Sequence, residues 1–135
     1  GHLAEEISHD AAAIARQVAD RHSTPDKPRF VAGAMGPTTK AISVTGGITF
    51  DELVETFRIQ ARGLYRGGAD YLLLETCQDT RNVKAGLIAI DQVSRELGER
   101  IFRLILDTAS GRKTKSELHG YGQNEFVPWQ LGAVM

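Results

Sequence analysis

A single cysteine, Cys77, among 135 residues excludes an internal disulfide framework, and one thiol cannot by itself build a multi-cysteine zinc site. Long apolar runs are also missing. None approaches the ~20 residues of a membrane-spanning helix, and the first residues lack the basic, apolar and small-residue succession of a signal peptide. An excess of either charge is missing too: a formal net charge of −1 gives no footprint for nucleic acid or a membrane surface. His2, His9, His22 and His119 show no metal-ligand spacing, and Gly46-Gly47 lacks both the Lys-Ser/Thr ending of a phosphate loop and a strand before it. With 41% hydrophobic residues in one domain's length, the composition fits an ordinary soluble globular protein, expected in the cytoplasm. The chain opens on Gly1-His2 without an initiator Met, so the expectation for its first residues is an internal cut or an added remnant.

What is present is a sequence of helical and strand patterns. The stretch Tyr71-Leu72-Leu73-Leu74-Glu75-Thr76 is the clearest, an apolar run between turn residues that reads as a strand buried on both faces. Before it, Leu3 to about Arg21 places Ile7, Ala11, Ile14, Ala15 and Val18 at helical spacing, with an Ala-rich stripe suited to close packing. Pro25 and Pro28 make residues 23–28 a linker, and Phe30 to Met35 reads as a short strand ended by Gly36-Pro37. Residues from Thr38 to Gly47 form a loop. Thr49 with Glu52 is a capping box opening a helix whose stripe is Leu53, Phe57, Ala61 and Leu64, with Gly67 as its left-handed stop. A third helix, capped by Asp79 or Thr80, turns Val83, Leu87, Ile90, Val93 and Leu97 inward and closes at Gly98, and Ile101 to Leu106 is a third strand interrupted by Arg103. From residue 107 to 135 the pattern dissolves into an irregular tail.

The alternation of helix and strand predicts an α/β fold with a parallel sheet over residues 1–106. Three strands cannot close a barrel, which takes about 250 residues for eight strands. The chain therefore reads as a slice of a TIM (β/α)8 barrel, with a small open sheet as the alternative.

In parallel α/β units ligands sit at the C-terminal ends of the strands, which singles out Glu75 and, at the matching end of the preceding strand, Gly36, Pro37 and Thr38. A carboxylate ending a buried strand loses part of its hydration and needs a compensating partner. That partner is either a ligand ammonium group or a structural one, backbone amides or Arg81. The Gly36-Pro37-Thr38-Thr39 turn offers backbone N–H groups and hydroxyls to a ligand carboxylate. Asp79 reads as a helix cap rather than a catalyst, and Cys77, with no histidine paired to it, as packing. Lys113 and Lys115 are a minor charge cluster.

Several motifs together resemble one family. Residues 30–38 (Phe-Val-Ala-Gly-Ala-Met-Gly-Pro-Thr), 49–54 (Thr-Phe-Asp-Glu-Leu-Val), 67–76 (Gly-Gly-Ala-Asp-Tyr-Leu-Leu-Leu-Glu-Thr) and 79–85 (Asp-Thr-Arg-Asn-Val-Lys-Ala) are similar, in order and spacing, to the homocysteine-binding barrel of cobalamin-dependent methionine synthase. The resemblance covers about residues 3 to 101. It implies a (β/α)8 barrel at the start of a modular enzyme that passes a methyl group from methyltetrahydrofolate through cobalamin to homocysteine, whose thiol binds zinc as thiolate. It implies that Glu75 contacts the homocysteine amino group, with Gly36, Pro37 and Thr38 at the same mouth. The family's zinc-binding cysteines, on later strands, have no counterpart here, nor do the glycine-rich first strand and the second. Asp107 to Arg112 only faintly echoes the family's Ser-Gly-Thr turn.

The resulting expectation is a fragment of a homocysteine S-methyltransferase with an incomplete site, no catalytic residue of its own, and no zinc or cobalamin bound by this chain. The alternatives are a stand-alone α/β module binding an amino acid between residues 36–47 and Glu75, or a non-functional remnant. A truncated product, an altered reading frame near residue 102 and real divergence each account for the departures.

Overall fold

The computed structural model describes residues 2–38, 47–77 and 80–106. Among the described residues, three helices alternate with three strands: α1 (His2–His22), β1 (Ala32–Met35), α2 (Phe50–Arg66), β2 (Tyr71–Glu75), α3 (Thr80–Leu97) and β3 (Phe102–Leu106). The strands form one parallel sheet in the order β1-β2-β3, so the expected α/β slice with parallel crossovers is what forms. The predicted loop after Thr38, the capping role of Asp79 and the tail 107–135 lie outside the described residues.

Because the sheet advances in one direction and right-handed crossovers are strongly preferred, α2 and α3 fall on the same face. That face carries Gly33, Met35, Leu72 and Leu74, all buried, while Ala32 and Ala34 are exposed and Tyr71, Leu73 and Glu75 half-buried on the other. The expectation that β2 is buried on both faces is therefore corrected. Its apolar run is continuous, but among the described residues only one side has a helical layer over it. Leu72 and Leu74 enter the core with Leu53, Phe57, Ile90 and Val93. The register pairs Arg103 with Leu72 and so sets Arg103 on the covered face, where burial lowers its pKa against the opposing pull of Asp91.

The helices follow local chemistry closely. Thr49 and Glu52 form the predicted capping box, and Leu53, Phe57, Ala61 and Leu64 are buried as expected. The left-handed stop after α2 is Gly68, at φ 104°, not Gly67, whose φ is −75°. Gly67 has a different reason to be glycine: a Cβ there would lie 2.2 Å from the His9 carbonyl oxygen. Gly98, at φ 65°, closes α3 as predicted. In α3, Ile90 and Val93 are buried and Val83, Leu87 and Leu97 half-buried. The innermost positions go to Asn82, Ala85, Gly86 and Ala89, because Leu74 packs where a Cβ on Gly86 would stand. Strands β1 and β3 are shorter at their starts than predicted, and Phe30 is half exposed.

The largest departure is α1. Its predicted inward stripe is outward: Ile7, Ile14 and Val18 are 60%, 64% and 50% exposed, and Ala11 and Ala15 are exposed as well. Contact with α2 is made instead by the small residues Ala12 and Ser8 against Gly63 and Gly67, fixed by Arg62 donating to both oxygens of Glu5 at 2.8 and 2.6 Å.

Two outcomes test this packing. In Gly63→Ala the new Cβ would meet the Glu5 carbonyl oxygen at 2.4 Å. Alanine gains about 1 kcal/mol of helix propensity, but a backbone oxygen cannot step aside unless the helix moves, at an overpacking cost of about 1–3 kcal/mol. Urea denaturation should therefore show net destabilisation, and a neutral or stabilised variant would mean that α1 does not dock here. The Arg62 hydrogen bonds hold the Glu5 carboxyl below its ordinary value of 4.5. A depressed folded-state pKa contributes stability above the unfolded pKa that is lost as pH falls through the folded one. Wild type should accordingly lose more stability than Glu5→Gln between about pH 5 and pH 3.

Candidate functional site

The site candidates are placed by register. Met35 pairs with Leu74, so Gly36 stands one step beyond, level with Glu75, and Glu75 in turn pairs with Leu106. The Gly36-Pro37-Thr38 turn and the Glu75 carboxylate thus share the C-terminal rim of the sheet, although they are far apart in sequence. Glu75 points to the uncovered face, half-buried. Among the described residues its side chain forms no hydrogen bond or ion pair, and exposed Arg81 does not bridge it. The structural partnership weighed for Glu75 is therefore not made within the described residues.

Gly36 keeps an ordinary backbone conformation, and a Cβ on it would meet nothing within 4 Å. Its neighbourhood is open, which leaves room for close approach of another group to the backbone. Pro37 has no N–H to give, so the turn's amide donors are fewer than the residue count suggests. Gly36, Pro37 and Thr38 are all half-buried. The continuation at Thr39 lies outside the described residues.

Two features of this rim carry no obvious sequence signal. Thr76 has φ 58° and is the only non-glycine residue with a positive φ among those described. A β-branched residue in the left-handed region costs roughly 1–2 kcal/mol, and such strain tends to collect where a fold positions something. Asn82, in the first turn of α3, is the one buried polar residue among those described, at 5% exposure. The asparagine of the resembling stretch is visible in the sequence, but its burial is not. Cys77, directly after Thr76, is half-buried and forms no disulfide.

Two clefts lie elsewhere. One runs between α1 and α2 past His2, Glu5, His9 and Arg62. The other is at the opposite end of the sheet beside Arg16, Tyr65, Asp70 and Phe102. Neither includes Glu75 or Gly36–Thr38, because a barrel mouth takes its walls from the loops of many strands and three supply only an arc. No group of three or more His, Cys, Asp or Glu among the described residues could hold a metal ion. Because Thr76 sits at φ 58°, Thr76→Asn should raise the thermal midpoint, by about 0.5–1 kcal/mol of stability, since asparagine tolerates this conformation better. A lower midpoint would show that the threonine side chain itself is needed there.

With the rim assembled, comparison with known families gives a match. A family model described as homocysteine S-methyltransferase matches residues 1–124, spanning all six elements and running past Leu106, further along the chain than the motifs quoted above. The chain belongs to the homocysteine S-methyltransferase family.

Proposed function

We propose that this chain is the amino-acid-gripping arc of a homocysteine-binding barrel of the cobalamin-dependent methionine synthase type, incomplete as a catalyst by itself. Family membership makes methyl transfer the chemistry to which the chain contributes. The observation supporting the more specific reading is the register that sets Gly36 level with Glu75. It brings an acceptor for an ammonium group and a turn with open space beside its backbone to one rim, in the arrangement an α-amino acid requires. Glu75 would accept hydrogen bonds from the homocysteine ammonium, and the backbone and hydroxyl of the 36–38 turn would receive its carboxylate. Held by these two contacts, the homocysteine thiol would remain free for other groups to activate.

Activating that thiol is the work of other groups. In this type zinc lowers the pKa of the thiol, and cobalamin carries the methyl group. The described residues do not fit a zinc site. The chain is read as a substrate-binding wall without a nucleophile-activating centre.

A charge-assisted hydrogen bond contributes about 1.5–3 kcal/mol, roughly a 10- to 100-fold change in affinity. On its own the arc should bind homocysteine too weakly for calorimetry, yet at millimolar ligand the amides of Gly36 and Glu75 should shift in two-dimensional NMR spectra, and Glu75→Gln should abolish the effect. Stoichiometric zinc with calorimetric homocysteine binding would overturn the incompleteness. Shifts that survive Glu75→Gln would overturn the role given to that carboxylate.

A further inference from the structure

The sheet face turned away from α2 and α3 is built unevenly. Register sets Ala32 beside Tyr71 and Ala34 beside Leu73, and the same count brings Gly36 beside Glu75. On this face β1 therefore presents three of the smallest residues in succession, while β2 presents two large side chains and a carboxylate. The interior of an α/β barrel is ordinarily filled by bulky branched residues. Ala32 and Ala34 are exposed, so no packing among the described residues requires them to be small. Gly33, on the covered face of the same strand, is the contrast: a Cβ there would stand 2.8 Å from Leu72 Cδ2 and 3.2 Å from the Cβ atoms of Ala69 and Leu64, whereas a Cβ on Gly36 would meet nothing within 4 Å. Packing imposes the small residue on the covered face. On the other face the small residues leave a trough over β1, walled on one side by Leu73, and their size does not depend on what else lies over the sheet.

We propose that this trough receives the side chain of the bound amino acid, and that Ala34 determines which amino acids the rim accepts. This rests on the proposed grip at Glu75 and the 36–38 turn, and adds what the rest of the ligand touches. An amino acid with its ammonium at Glu75 and its carboxylate at the turn has its Cα over the gap between β2 and β1. Strands lie about 4.8 Å apart and advance about 3.3 Å per residue, which puts Ala34 about 7 Å below Gly36 along β1. Two methylenes and a sulfur leaving the rim in that direction pass over the Ala34 methyl. A larger residue at 34 would stand in their path. The trough is apolar, since the side chains of Ala34 and Leu73 offer neither donor nor acceptor, and a charged or amide side chain would lose its hydration there without a partner. The accepted class is an α-amino acid with a short, uncharged side chain. Its methylenes meet β1, and a sulfur at its end stays available.

NMR titration of the whole chain with homocysteine and with glycine at millimolar concentration tests the proposal, because glycine carries both charged groups and no side chain. In wild type both ligands should shift the Gly36 and Glu75 amides, and homocysteine alone should also shift the Ala34 methyl. Ala34→Leu, at an exposed position, should keep the thermal melt and the glycine response and weaken homocysteine binding by about fivefold or more, the low end of an overpacking cost. Ala34→Val, a residue well suited to a strand, should weaken homocysteine in the same direction by less. Ala32→Leu, one row further from the rim, should leave both ligands as they are. An unmoved Ala34 methyl, equal weakening of glycine and homocysteine in the Ala34 variants, or the same selective loss in Ala32→Leu would each overturn the proposal while leaving the grip in place. Rim amides that respond to neither ligand would overturn the grip and the trough together.

Discussion

The sheet depends on one carboxylate that lies outside it. Asp70, the residue before β2, accepts from the backbone N–H of Val31 at 2.6 Å and from Arg16 Nη1 at 2.7 Å, while its own N–H donates to the Val31 carbonyl at 2.9 Å. Arg16 reaches on to the Arg29 carbonyl and to Asp20. A single side chain thus ties the entry of β1 to the entry of β2 and both to α1. The Asp70 side chain is about a third exposed, so the energy of its ion pair is screened and modest. Its larger effect is geometric. It fixes the pairing of Ala32 with Tyr71, and in a sheet with one covered face a slip of one residue would turn every core side chain outward.

That choice propagates to the other end of the strands. Counting forward from the Asp70 clamp, Met35 meets Leu74 and Gly36 comes level with Glu75. The functional candidates are therefore aligned by an interaction at the far edge of the sheet, not by contacts among themselves. The rim is aligned and yet not enclosed. Glu75 is half-buried with no side-chain partner among the described residues, a state tolerable for a carboxylate only while water still reaches it.

The elements were legible in the sequence wherever local chemistry decides them. The capping box at Thr49, the stripe from Leu53 to Leu64, the stop at Gly98 and the strand from Tyr71 all follow from short-range rules and appear as expected. What was not legible depends on neighbours. Whether Leu73 is covered as Leu72 is depends on how many layers flank the sheet. The outward turn of Ile7 and Ile14 depends on which side of α1 finds a partner, and the small residues Ala12, Gly63 and Gly67 decide it because helix backbones come closest there. In α3 the same preference for small residues rotates the buried face toward Ala85, Gly86 and Ala89. Gly67 shows the ambiguity in one residue, since a helix stop and a close approach both call for glycine. For the site, strand ends pointed to Glu75 and Gly36, but the left-handed Thr76 had no signal, because threonine is not a residue that announces a positive φ.

Closure and ligand binding act on the same carboxylate and should therefore favour one another. Whatever completes the cover over this half-buried face of the sheet removes water from Tyr71, Leu73 and Glu75 together. Burying the first two is favourable by about 25 cal/mol per Å² of apolar surface. Burying the third is costly without a cation. An amino-acid ammonium at Glu75 removes that opposing cost and so strengthens the closed arrangement, and closure, by lowering the local dielectric, strengthens the ammonium contact. Such coupling is reciprocal by thermodynamic necessity. An open arc is consequently a poor binder for the same reason that it is an unfinished surface: each state lacks the group that would make the other favourable.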